Sequence, residues 1–155
     1  YDPQIYYTGR SPLEAVSMNV PLELSDTNEL PCIKGIISDA PTPSVEAFFY
    51  NVSREIFGKG GEAVAKCAID DLNKYTGLEA KNFNFVETVK DSAHPLLLSA
   101  GSMEKLKDLF DKIKQNNPCD TEIIILDGCN HGNGMYKQTE AYQTKIKEFI
   151  DKYFD

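Results

Sequence analysis

"TEIIILDGCNHGNG", residues 121–134, decides the reading of this chain. Its first six residues, Thr121–Leu126, form a short, isoleucine-rich run of the kind that makes a buried parallel strand. Asp127-Gly128-Cys129-Asn130-His131-Gly132 follows, a glycine-rich loop holding one of only two histidines. Downstream, Tyr142, Ile146, Phe149, Ile150 and Tyr153 recur at helical spacing and form the apolar stripe of a closing helix. A strand therefore delivers His131 to the loop at its carboxyl end, and a helix returns along the sheet. In open parallel sheets, that end is where ligands bind.

The same grammar extends upstream. Gln4–Thr8 and Ile33–Ser38 read as strands, as does "PLLLS" at Pro95–Ser99. Pro12 suits the first turn of a helix, where its missing N–H costs nothing, and that helix must stop before Pro21. Val45, Phe48, Phe49, Val52 and Ile56 predict an amphipathic helix over 44–57 with Ser44 as its cap. Gly58-Lys59-Gly60-Gly61 breaks it. Ala65, Ala68, Ile69 and Leu72 mark a second helix over 62–75. Met103, Leu106, Phe110 and Ile113 mark another, and "KNFNFVETVKDS" is ambiguous. The order is strand, helix, strand, two helices, strand, helix, strand, helix. That alternation specifies an α/β fold with a parallel sheet of about four strands covered on both faces. All 155 residues fit one domain, and the consecutive helices at 44–76 read as a lid or insertion within it.

Sixteen Lys and Arg face 24 Asp and Glu, a net charge of -8. This balance argues against nucleic acid and against anionic membrane surfaces as partners. No apolar run approaches the roughly 18 residues that span a bilayer. The four cysteines, Cys32, Cys67, Cys119 and Cys129, show no zinc-knuckle or Cys-x-x-Cys spacing. They read as reduced, mostly buried thiols, which favours a cytoplasmic location. Asn51-Val52-Ser53 is a glycosylation sequon inside an expected helix, where it reads as a chance match. Gly58–Gly61 lacks the Ser or Thr of a phosphate loop and lies between helices. Cys129 and His131 have no second pair of metal ligands nearby in sequence. No metal or cofactor is expected.

Ser11 follows the first strand in "YYTGRSP", at a sharp strand-to-helix turn. A serine there is either a helix cap or an exposed nucleophile. A nucleophile needs a base within reach. His94 precedes a strand and belongs at the sheet's other end, so His131 is the base that Ser11 could pair with.

Together, the Gly-x-Ser turn and the Gly-x-x-His-Gly loop before an amphipathic helix resemble the second half of an α/β-hydrolase. The likeness is to bacterial hydrolases of the serine-esterase and dienelactone-hydrolase type. "QIYYTGRS" resembles the strand leading to their nucleophile elbow, "CIKGIISDAPTPSVEAFF" the next strand and loop, and "HPLLLSAG" the strand before their acid. The resemblance implies Ser11 as nucleophile, His131 as general base and a small-molecule ester or other acyl substrate. It leaves the acid open between Glu104, the nearest carboxylate after "PLLLS", and Asp39, at the end of the preceding strand.

Three features depart from that pattern. The elbow Gly-x-Ser-x-Gly reads Gly9-Arg10-Ser11-Pro12-Leu13, which lacks the second glycine. Pro12 has no N–H to offer an oxyanion. The acid loop is short, and the family's first strands have no counterpart here. The first strand would then form an open sheet edge, which predicts a fragment, a partner chain that completes the sheet, or a rearranged homo-oligomer. Three functions follow as alternatives: an active serine hydrolase, a hydrolase-like binding module without catalysis, or part of a larger hydrolase.

Overall fold

The computed structural model describes residues 5–10, 33–42, 44–104 and 106–153, with residues 5–10 and Ile33 as backbone alone. Four strands make one sheet: β1 (Ile5–Arg10), β2 (Ile33–Asp39), β3 (Leu96–Gly101) and β4 (Thr121–Leu126). They lie in chain order and every pair is parallel. The helices are α1 (Val45–Phe57), α2 (Gly61–Thr76), the single turn α3 (Phe85–Thr88), α4 (Lys107–Asn116), the short α5 (Gly134–Lys137) and α6 (Thr139–Tyr153). The expected helix after Ser11 lies outside the described residues.

Alternation along the strands divides the core into two faces. Ile36, Leu96, Leu98 and Ala100 face one side, where Phe85, Val89, Phe110 and Ile113 from α3, its following turn and α4 cover them. Ile37 and Leu97 face the other side, under Phe149 of α6. Both sides of β3 are fully covered, as its six consecutive buried residues require. A side chain at Gly35 would come within 3.0 Å of the Phe149 ring, so this glycine lets α6 settle on the sheet.

Residues 44–84 lie between β2 and α3 and are closed at their base. Ser44 and Asn84 form an antiparallel bridge, and the Val45 N–H donates to the Phe83 carbonyl at 3.1 Å, closing a neck. Within the excursion, Val45 of α1, Ile69 of α2 and Ala80 form a separate small core. Ser44 caps α1 as expected, accepting from the Ala47 N–H at 3.0 Å. A side chain on Gly61 would stand 2.3 Å from the Ser53 carbonyl oxygen. The Gly58–Gly61 stretch thus serves the helix hairpin, with Gly58 taking a positive φ of 57° and Gly61 admitting the close crossing. Ser53 of the sequon is buried inside α1.

The structure corrects several expectations. Ile56, assigned to the apolar stripe of α1, is 66% exposed, in the last turn of the helix just before the chain reverses at Gly58. Met103 is 62% exposed because it lies in a 3₁₀ turn at Ser102–Glu104, ahead of α4. Asn84 caps α3 within the ambiguous stretch, accepting from the Val86 N–H at 3.0 Å. The thiols are free, but of the three described only Cys129 is buried; Cys67 is exposed and Cys119 half-buried. Cys32 lies outside the described residues.

The closing helix is also tied down at its far end. Lys152 Nζ donates to Asp120 Oδ2 at 2.8 Å and to Glu122 Oε1 at 2.9 Å, and the Tyr153 hydroxyl donates to Asp120 at 2.7 Å. The Lys152 hydrogen bond, then that of Tyr153, holds the Asp120 carboxyl below its ordinary range. A depressed carboxyl stabilises the fold above its unfolded pKa, and the contribution fades as pH falls below about 4. Lys152→Ala should therefore raise the Asp120 midpoint in an NMR titration. The stability gap between variant and parent should narrow as the solution is acidified.

Candidate active site

The carboxyl ends of β3 and β4 bring two of the expected residues together. His131 Nδ1 lies 2.8 Å from Glu104 Oε2. The Glu104 side chain is 9% exposed and the His131 ring 52%. The other Glu104 oxygen, Oε1, accepts from the Gly101 N–H at 2.7 Å. An ionised carboxylate only accepts, so the ring nitrogen facing it carries the proton. In the neutral imidazole the second nitrogen, Nε2, then holds a lone pair, as a general base requires.

Local sequence explains how the pair meets. β3 ends at Gly101, and the chain turns at once through Ser102–Glu104, which carries the carboxylate back over the strand end. A side chain on Gly101 would stand 2.2 Å from the Cys129 carbonyl oxygen, so glycine is needed for the His131 loop to approach. The Met103 N–H donates to that same carbonyl at 3.1 Å. Gly128 and Gly132 take positive φ values of 66° and 64°, conformations that favour glycine. Asn133 closes the turn carrying His131, its Oδ1 accepting from the Asn130 N–H at 2.9 Å. Gly134 lies against Leu126, where a side chain would come within 2.3 Å of Cδ1. The glycines therefore set the loop's shape and how closely it approaches the strands.

Asp39 is placed differently. It is buried at the end of β2, and its Oδ1 accepts from the Ser99 hydroxyl at 2.6 Å. Ala40 follows with φ of +54°, unusual for a residue with a side chain, and its N–H donates to the Ser99 carbonyl at 2.7 Å. Asp39 thus ties β2 to β3, while Glu104 faces the histidine. His94 is buried at the amino end of β3, its carbonyl accepting from the Ser92 hydroxyl at 3.1 Å. Ser11, Pro12 and Leu13 lie outside the described residues; Ser11 directly follows Arg10, the last residue of β1. Arg10 is in register with Asp39, at the carboxyl edge of the sheet.

Among the described residues, no group of three or more His, Cys, Asp or Glu could hold a metal ion. A groove of about 630 Å³ runs along β4 and the start of α6, lined by Ile124, Lys137, Gln138, Thr139 and Lys145. Neither Glu104 nor His131 lines it. Among the described residues, no helix is long and apolar enough to cross a membrane. Sequence reasoning missed the roles of Ser102 and Asn133, whose bonds to the loop depend on tertiary contact or turn geometry. Gly101 at the strand end was the legible hint of a close approach.

Comparisons with known proteins place the fold. An α/β-hydrolase from the metagenome of lagoon sediments at Mar Chica, Morocco, is similar over 96% of this chain and 62% of its own, at 13% identity and a TM-score of 0.62. A Pyrococcus furiosus esterase is similar over 98% of this chain and 55% of its own, at 16% identity and a TM-score of 0.64. A naproxen esterase from Bacillus subtilis is similar over 94% and 60% respectively, at 16% identity and a TM-score of 0.57. At such identities the likeness shows the fold alone: a parallel sheet flanked by helices, as in these hydrolase and esterase structures. The chain spans less than two thirds of the length of these structures, which is consistent with a match to the latter half of the domain. No curated protein matches the chain. The family model for 2,3-bisphosphoglycerate-independent phosphoglycerate mutase matches residues 1–28. Most of that segment lies outside the described residues.

Proposed function

We propose that this chain carries the nucleophile, acid and base of an α/β-hydrolase-type serine hydrolase acting on an ester or another acyl substrate. The observation that carries this reading is the 2.8 Å contact between His131 Nδ1 and Glu104 Oε2. Ser11 Oγ attacks the acyl carbon while His131 Nε2 accepts its proton. Glu104 holds the ring and stabilises the imidazolium that forms. The carbon–oxygen bond to the leaving alcohol then breaks, and His131 returns the proton to it. Water, deprotonated by the same histidine, frees the acid and restores Ser11. The chain order Ser11, Glu104, His131 is that of α/β-hydrolases. Asp39 serves in this reading as a strand tie. The helices of 44–76 act as a cap within a single domain, bounding the substrate pocket. β1 is the edge of the described sheet, and in this reading further strands complete it, from more of the same hydrolase chain, a partner chain or a second copy. Free thiols fit a reducing cytoplasm.

A second reading rests on Pro12. In an α/β-hydrolase the residue after the nucleophile donates an oxyanion-hole N–H, and proline has none. Losing one such donor costs roughly 10²–10³ in rate. With Leu13 in place of the elbow glycine, this favours a binding module that keeps the frame but not the reaction. Both readings are compatible with the chain being part of a larger hydrolase.

Labelling with a fluorophosphonate probe, followed by peptide mass spectrometry, separates the two. The expected result is covalent label on Ser11 that disappears in Ser11→Ala and falls strongly in His131→Ala. A folded protein that takes no label at Ser11 would sink catalysis by this chain and leave the binding reading.

A further inference from the structure

We infer that Ser102 is a positioning residue for the Glu104–His131 pair, its hydroxyl clamping the carboxylate-bearing turn onto the histidine-bearing loop. Three successive residues of the turn meet the loop in parallel order. The Ser102 hydroxyl oxygen accepts from the Gly128 N–H at 3.0 Å. The Met103 N–H donates to the Cys129 carbonyl at 3.1 Å. Glu104 Oε2 faces His131 Nδ1 at 2.8 Å. Ser102 Oγ also lies 3.4 Å from Asp127 Oδ1, a long contact in which the hydroxyl hydrogen points to the carboxylate.

The pair needs such a clamp. Its histidine ring is half exposed, and an ion pair or hydrogen bond open to water contributes little and does not hold two side chains in one geometry by itself. The loop is intrinsically permissive, since Gly128 and Gly132 both sit at positive φ. A side chain at Gly128 would meet no atom within 4 Å, so packing does not fix this residue. Its N–H bond to Ser102 does, one turn residue ahead of the backbone bond and two ahead of the carboxylate. The backbone bond survives any substitution at Met103 that keeps its N–H, that is, any but proline. Among the described residues, Ser102 is thus the removable side-chain link between the turn and the loop beyond the pair itself.

The kinetic consequence rests on the serine-hydrolase reading, but the geometric one does not. The chain has only two histidines, so imidazole nitrogen spectra of ¹⁵N-labelled protein are simple, with His94 as internal reference. The expected wild-type signal is a His131 ring protonated at Nδ1, and Glu104→Gln defines its loss. Ser102→Val, which lacks the hydroxyl, should shift the His131 nitrogens towards the Glu104→Gln pattern. Ser102→Thr, nearly the same shape with a hydroxyl, should keep the wild-type pattern. Where the protein turns over ester, Ser102→Val should lower kcat by about 10- to 100-fold with KM nearly unchanged, and Ser102→Thr should restore it. Identical His131 spectra for the Val and Thr variants would overturn the proposal, whether or not the wild type is active. A wild type with the expected spectrum but no turnover would count against the serine-hydrolase reading and leave the positioning role standing.

Discussion

Glu104→Gln is expected to lower kcat for ester hydrolysis by about 10³–10⁴-fold, with a far smaller change in KM. The amide keeps the shape of the side chain. It also keeps one oxygen that can accept from the Gly101 N–H, as Oε1 does at 2.7 Å in the parent. What it loses is the negative charge facing His131 Nδ1 at 2.8 Å. An amide NH₂ at that place would donate to Nδ1, favour the tautomer with its proton on Nε2, and remove the base that Ser11 needs. The imidazolium formed on proton transfer would also lose its counter-charge. Asp39→Asn provides the control. Asp39 accepts from Ser99 and lies on another strand end, so its amide should perturb stability more than turnover. Steady-state kinetics on a chromogenic acetate ester, with folding checked by circular dichroism, decide the matter. If Asp39→Asn abolished turnover while Glu104→Gln kept more than a tenth of it, the acid would be Asp39.

Phe149→Ala should produce the largest loss of stability of any single truncation on the α6 side of the sheet, about 3–5 kcal/mol. The ring is fully buried, against Ile37 and Leu97, and stands over Gly35. The strands below are held by their parallel ladders and Gly35 has no side chain to extend, so the space closes only in part, from the side of Tyr153 and Ile146. Native domains are stable by only about 5–15 kcal/mol, so this single change removes a substantial part of the margin. Urea unfolding monitored by circular dichroism measures it. A loss below about 1 kcal/mol would mean that α6 is not anchored through Phe149.

Much of the fold was legible because buried parallel strands and amphipathic helices carry different periods. "TEIIIL" ends where β4 ends, and Ser44 caps α1 where its hydroxyl can reach a free N–H. The departures occurred where periodicity has no purchase. Met103 sits at helical spacing from Leu106 and Phe110, yet a 3₁₀ turn precedes α4 and puts it in solvent. Ile56 continues a stripe into the last turn of α1, just before the chain reverses at Gly58, and is exposed there.

The candidate site divides in the same way. By itself the sequence determined that His131 stands in a glycine-rich loop after one strand and Glu104 after another, since strand order and parallel direction put both at the same end of the sheet. It could not choose between Glu104 and Asp39, because both follow strands and both fall at that end. Tertiary structure decided which carboxylate meets the histidine. Gly101 lets the peptide after Cys129 come into contact, the 102–104 turn carries Glu104 towards that loop, and the Ser99 hydroxyl holds Asp39 elsewhere. Such choices turn on separations of a few ångströms between chain segments 25 or more residues apart. Short-range patterns in the sequence do not encode those separations.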